Sequence, residues 1–154
     1  MDEGAKIPDV MVTVDDAGNE AAVSLASLGA PLVVYFYPKD DTSGCTTEAK
    51  DFSALADAFD AAGVKVVGIS KDTPASHAKF SAKHALTVRL ASDVDGVACE
   101  AFGVWVEKAM YGKKYMGIER ATFLFGADGT LAKAWRKVRV PGHAEGVLAA
   151  AKAL

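Results

Sequence analysis

Apolar and polar residues alternate from Val10 to Val14 and again from Ala21 to Leu25, and Asp15-Asp16-Ala17-Gly18-Asn19 between them is rich in turn formers. This pattern predicts a surface β-hairpin. Leu32-Val33-Val34-Tyr35-Phe36-Tyr37 is apolar without alternation, as suits a strand covered on both faces, and Pro38 ends its ladder. From Thr46 to Ala62, the residues Phe52, Leu55, Ala56, Phe59 and Ala62 recur three or four apart and predict one helix that stops at Gly63. Val64 to Ile69 reads as the next strand. Strand, helix and strand in this order imply a right-handed parallel crossover, and the fold class is α/β.

Thr73 and Pro74 have the chemistry of a helix N-cap and first helical position, opening a helix that runs to His84. Val88 to Ala91 follows as a short strand, and a brief helix containing Cys99 reaches Phe102. Gly103 to Gly117 has no clear period and is expected to be a long ordered loop. Ala121–Phe125 and Thr130–Trp135 flank Gly126-Ala127-Asp128-Gly129, an antiparallel hairpin signal, so the central sheet is expected to be mixed and flanked by helices. Ala144 to Leu154 completes the chain as an alanine-rich helix.

Composition narrows the function. At 154 residues and 51% hydrophobic, the chain has the size of one domain, expected to span 1–154. The net charge of −3, from 17 basic and 20 acidic residues, gives no electrostatic footprint for nucleic acid or an anionic membrane. No apolar run approaches membrane-span length, and the N-terminus lacks a basic region followed by an apolar stretch, so a cytoplasmic protein is expected. Two cysteines do not make a disulfide framework, and any disulfide would belong to a redox cycle. His77, His84 and His143 share no metal-ligand spacing and read as surface or capping residues, and Gly112 and Gly117 form no phosphate-binding motif. Neither a metal nor a cofactor is expected. The absence of an obvious exposed apolar stripe points to a monomer.

The candidate chemistry lies at the junction of the first buried strand and the helix after it. A helix start has N–H groups without intrahelical partners and the positive end of the helix dipole, so a thiolate placed there is favoured over the thiol. Cys45 occupies such a position. Thr42 lies three residues before it, Pro38 fixes the chain entering the turn, and Gly44 permits close backbone approach. There is no Cys-x-x-Cys partner, which disfavours dithiol exchange. A lone thiolate beside a hydroxyl and backbone donors suits attack on a small electrophile with two oxygens, such as a hydroperoxide. The competing readings are a binding or chaperone module with an incidental cysteine and a general thiol oxidoreductase.

The stretch YFYPKDDTSGCTTEAKDF resembles the active-site segment of the peroxiredoxins, in which Pro, three residues, Thr or Ser, and two residues precede the peroxidatic Cys. Those positions are Pro38, Thr42 and Cys45. Gly68-Ile69-Ser70, Phe102-Gly103-Val104-Trp105 and Gly117-Ile118-Glu119-Arg120 extend the likeness to the bacterioferritin comigratory protein, or peroxiredoxin Q, subfamily. The resemblance implies a thioredoxin-like fold with an added N-terminal hairpin, and reduction of hydrogen peroxide or organic hydroperoxides. It implies Cys45 as nucleophile, Thr42 and Arg120 as holders of the peroxide oxygens, and Pro38 as a shield. It implies recycling of a sulfenic acid by thiols such as thioredoxin, glutaredoxin or glutathione.

The chain departs from the subfamily at both usual resolving positions, where Lys50 and Ser81 stand in place of cysteine, and at Ser43, where proline is usual. Cys99 is the remaining internal candidate, against an inert core residue; a one-cysteine cycle resolved by an external thiol is the favoured expectation. Arg136-Lys137-Val138-Arg139 reads as a solvated strand end, with docking of an acidic partner as the alternative. Trp105, Met110, Tyr111, Tyr115 and Met116 are expected to cover the core, wall the peroxide pocket or meet a reductase.

Overall fold

The computed structural model describes residues 1–16 and 19–154, and the expected turn over 15–19 falls partly outside them. Seven strands form one mixed sheet in the order β2-β1-β5-β4-β3-β8-β9. The strands are β1 (Met11–Asp16), β2 (Asn19–Ser24), β3 (Leu32–Phe36), β4 (Lys65–Ser70), β5 (Arg89–Ser92), β8 (Ala121–Phe125) and β9 (Leu131–Trp135). β3, β4 and β5 are parallel neighbours, and β8 pairs antiparallel with both β3 and β9. The expected N-terminal hairpin is present, and it is more than a surface feature. β1 joins β5, so β1 and β2 extend the main sheet, with Val12 and Val14 buried.

Both faces of β3 are covered, and its alternation divides the core. Leu32, Val34 and Phe36 face one cluster with Leu25, Phe102, Phe123 and Cys99. Val33 and Tyr35 face the other with Cys45, Phe52, Phe59, Phe80 and Val147, supplied by helices α1 (Ser43–Ala54), α2 (Ala56–Ala61), α3 (Pro74–His84) and α5 (His143–Lys152). Full burial of each such aromatic or aliphatic side chain stabilises the fold by roughly 1.5–3 kcal/mol. Helix α3 begins as its residues dictate: Thr73 caps it by accepting from the Ser76 N–H at 3.1 Å, with Pro74 in the first turn.

Two expectations are corrected. The helix expected over 46–62 starts earlier, at Ser43, and breaks at Leu55, whose φ of −97° and ψ of 5° leave the helical region and separate α1 from α2. Gly103 to Gly117 is not a loop. Strands β6 (Trp105–Met110) and β7 (Lys113–Ile118) form a separate antiparallel hairpin, following the short helix α4 (Val97–Ala101). Its two-residue turn, Tyr111-Gly112, has φ of 53° and 76°, the paired positive values of a type I′ turn.

Candidate active site

Cys45 is the third residue of α1, so it sits in the turn whose N–H groups lack intrahelical partners. The residue is buried, at 2% exposure. Arg120, in the short link between β7 and β8, reaches across from the far side of the chain. Its Nη2 donates to Cys45 Sγ at 3.3 Å, and its Nη1 donates to Glu48 Oε1 at 2.6 Å. The backbone of Arg120 is itself fixed, because its carbonyl accepts from the Val138 N–H at 2.9 Å.

Gly44 makes this approach feasible. A Cβ at that position would lie 3.2 Å from Arg120 Nη2, tighter than ordinary contact, so a larger residue would push the guanidinium from the sulfur. Burial alone would lower the basicity of Arg120, yet the neighbouring Glu48 carboxylate and Cys45 sulfur outweigh it and raise its pKa above the ordinary value.

Glu48, one turn along α1 from Cys45, was not foreseen from the sequence. Its side chain is 1% exposed, and Oε2 has no hydrogen-bond partner among the described residues. Burial pushes its carboxyl up to about 7 from 4.5, against the opposing pull of Arg120. The available signal was spacing: Cys45, Glu48, Ala49 and Phe52 share one face, so a charged residue stands in an apolar row.

Thr42 is the N-cap residue of α1, with extended backbone at φ −88° and ψ 157°, but its hydroxyl makes no capping bond and donates instead to the Lys39 carbonyl at 2.8 Å. Pro38 is exposed at the entry to the turn, and Lys50 is exposed on α1. The structure thus gathers Cys45 and Arg120 into direct contact, with Pro38 and Thr42 in the turn that leads to the sulfur.

Cys99 stands apart. It belongs to the core cluster on the opposite face of the sheet from Cys45, is fully buried, and burial together with Asp93 pushes its thiol well above the usual range. Both cysteines are free thiols.

Residues 4–134 match the AhpC/TSA family. The chain belongs to that family, as a peroxiredoxin of the Bcp/Q type. Peroxiredoxin Bcp of Xanthomonas campestris is 52% identical over 137 residues, covering 89% of this chain and 86% of the relative. The bacterioferritin comigratory protein of X. campestris, solved in work on its alkyl peroxide reduction activity with trapped intermediate and ligand complexes, is 46% identical with a TM-score of 0.87. It covers 99% of this peroxiredoxin and 98% of its own chain. A cysteine-to-serine variant of Xylella fastidiosa peroxiredoxin Q superposes at a TM-score of 0.90 with 39% identity, covering 99% and 96%. The fold is therefore the expected thioredoxin-like one, and the enzyme is a thiol-dependent peroxidase acting through a peroxidatic cysteine.

Three histidines refine the surface reading of the sequence. His84 pairs with the exposed Asp41. His77 is buried at 5% exposure and bonded at both ring nitrogens, because α3 turns it inward one turn before Phe80. His143 is half-buried against Thr122, and burial with the nearby Arg120 lowers its pKa to about 4, so it is neutral at physiological pH.

Proposed function

We propose that Cys45 is the peroxidatic residue, that Arg120, Thr42 and Pro38 complete its site, and that an external thiol resolves it. The observation that carries this reading is the 3.3 Å contact from Arg120 Nη2 to a sulfur at the start of α1. The Cys45 thiolate attacks one peroxide oxygen and the O–O bond breaks. The second oxygen leaves with a proton as water or an alcohol, and the sulfur becomes a sulfenic acid. The Arg120 fork is a fixed cation at the point where charge develops on the leaving oxygen. Thr42 commits its own proton to Lys39, which leaves its lone pairs to accept the peroxide O–H. Pro38 shields the entrance.

The substrates are hydrogen peroxide and organic hydroperoxides. The X. campestris relative, with its alkyl peroxide reduction activity, supports the latter. An external thiol attacks the sulfenic sulfur, releasing water and forming a mixed disulfide, and a second thiol restores Cys45. Placement of Cys99 across the sheet favours this one-cysteine cycle, with thioredoxin, glutaredoxin or glutathione as reductant.

The reading takes residues 1–154 as one domain, supported by a single sheet that includes both β1 and β9. It takes the enzyme as a cytoplasmic monomer, the cytoplasmic setting supported by two free thiols. Among the described residues no helix is long and apolar enough to cross a membrane.

The test is intact-mass spectrometry after one equivalent of hydrogen peroxide, with and without a sulfenic-acid trap. Wild type and Cys99→Ala should both give a single trapped adduct, and Cys45→Ser none. Undiminished peroxide consumption by Cys45→Ser overturns the assignment, and a loss of two hydrogens in wild type alone assigns Cys99 as resolving residue.

A further inference from the structure

Beneath the turn that leads to Cys45 lies a buried polar cluster that takes no part in the chemistry above. Asp40 is 8% exposed and His77 5%. Asp40 Oδ1 accepts from the Tyr37 hydroxyl at 2.6 Å, and Oδ2 accepts from Ser76 Oγ at 2.8 Å and faces His77 Nδ1 at 2.8 Å. His77 Nε2 faces the Ala91 carbonyl of β5 at 3.0 Å. The Asp40 N–H donates to Asp72 Oδ2 at 2.9 Å, an oxygen that also accepts from Ser70 Oγ at 2.6 Å.

Both ring nitrogens of His77 are thus engaged, one by the Asp40 carboxylate and the other by a backbone carbonyl, so the ring bridges the turn to β5 as well as to α3. Burial would raise the Asp40 carboxyl, but hydrogen bonds from His77, Tyr37 and Ser76 outweigh it and hold it below the usual range. The ligand-type atoms of Asp40, Asp72 and His77 lie within 4.8 Å of one another, yet each is already engaged by protein donors or acceptors, so the cluster is built as a fastening.

Its location gives it a role. Asp40 is two residues before Thr42 and five before Cys45, whereas Ser76 and His77 belong to α3. Asp41, with a left-handed φ of 58°, adds an exposed second tie from the same turn to Lys83 and His84 on α3. The turn is therefore fastened at its centre to a helix that carries neither Cys45 nor Arg120.

We propose that Asp40 and His77 are a positioning pair that holds the turn from Pro38 to Cys45 in its peroxide-reactive form by tying it to α3. This rests on Cys45 being the peroxidatic residue. Loosening the pair displaces Thr42 and the first turn of α1 relative to Arg120, and near-attack geometry is sensitive to shifts of about 1 Å.

The experiment measures sulfenic-acid formation at Cys45 by stopped flow under excess hydrogen peroxide, in wild type, Asp40→Asn, His77→Gln and Ser76→Ala. In parallel, the trap counts how many thiols per chain react. A positioning role predicts a rate constant lowered about 10- to 100-fold in Asp40→Asn and His77→Gln, and by less in Ser76→Ala, with every chain still reacting. Turnover limited by the external thiol is then unchanged at saturating peroxide, so kcat/KM for peroxide falls and kcat does not. Hydrogen exchange at the amides of residues 43–47 should quicken in the same order. A merely structural role instead lowers the fraction of chains that react and leaves the rate constant of the rest at the wild-type value, which overturns the proposal. If the two stronger variants do not fold, Ser76→Ala decides alone: wild-type rate and exchange refute the pair. Cys45→Ser is the control that separates this failure from failure of the peroxidatic assignment.

Discussion

Replacing Glu48 by glutamine tests how the interior beside the sulfur handles charge. Glu48 is 1% exposed and burial prevails over Arg120, so its carboxyl titrates at about 7 in place of 4.5. Between those values the native enzyme holds a proton that the unfolded chain has released. The contribution to stability is thus complete below 4.5 and lost as pH rises through about 7. At about 1.4 kcal/mol per pH unit, the interval from 4.5 to about 7 corresponds to about 3 kcal/mol. Glu48→Gln keeps an oxygen to accept from Arg120 Nη1 and has nothing to titrate. The unfolding free energy of the variant minus that of the native enzyme should therefore rise by about 3 kcal/mol between pH 4.5 and slightly above 7. Urea unfolding of the reduced proteins, followed by tryptophan fluorescence at a series of pH values, supplies both curves, and their difference cancels every titration that the two share. Parallel curves would refute the dominance of burial. A difference that falls with pH would show the ion pair with Arg120 to be the stronger influence.

Three further predictions probe the same neighbourhood. The Tyr35 hydroxyl is buried without a partner among the described residues, so Tyr35→Phe should stabilise the fold by about 1–3 kcal/mol in thermal or chemical unfolding. A Cβ at Gly68 would lie 2.5 Å from Tyr35 Cζ, with the ring held on its other neighbours by a 4.5 Å stack with Phe52. Gly68→Ala should destabilise by at least about 1–3 kcal/mol, and adding Tyr35→Phe should relieve part of that in a non-additive cycle. Arg120→Lys keeps the charge but not the fork that grips Glu48 and Cys45 together, and the rate of sulfenic-acid formation should fall by about 10²- to 10³-fold.

The sequence made the parallel core legible because β3 is an uninterrupted apolar run, Val66 to Ile69 gives β4 an apolar centre, and the Thr73-Pro74 cap is local chemistry. It concealed the β6–β7 hairpin for an equally local reason. A type I′ turn ordinarily announces itself as Asn-Gly or Asp-Gly, and here the first place is Tyr111, at a φ that side chains of its size seldom adopt. β7 added little, since four of its six residues are exposed and leave no buried alternation to read. The hairpin also corrects the expected core-covering role of its apolar residues: Trp105 packs partly buried against the core, but Met110, Tyr111, Tyr115 and Met116 are exposed. Within the proposed site, Cys45, Thr42 and Pro38 lie close together in the chain, and Arg120 was reached by resemblance. Glu48, Asp40 and His77 escaped because charge on an amphipathic helix or turn ordinarily faces water, and only tertiary packing turned these three inward.

The division of the core by β3 has a consequence for how oxidation spreads. With Cys45 on one side and Cys99 on the other, the sheet acts as an insulating wall between the two sulfurs. Under the proposed one-cysteine cycle, each chain then takes up a single two-electron oxidation and has no internal route along which to pass it. Discharge occurs only by encounter, and the concentration of thiol outside the protein sets how long the enzyme stays oxidised.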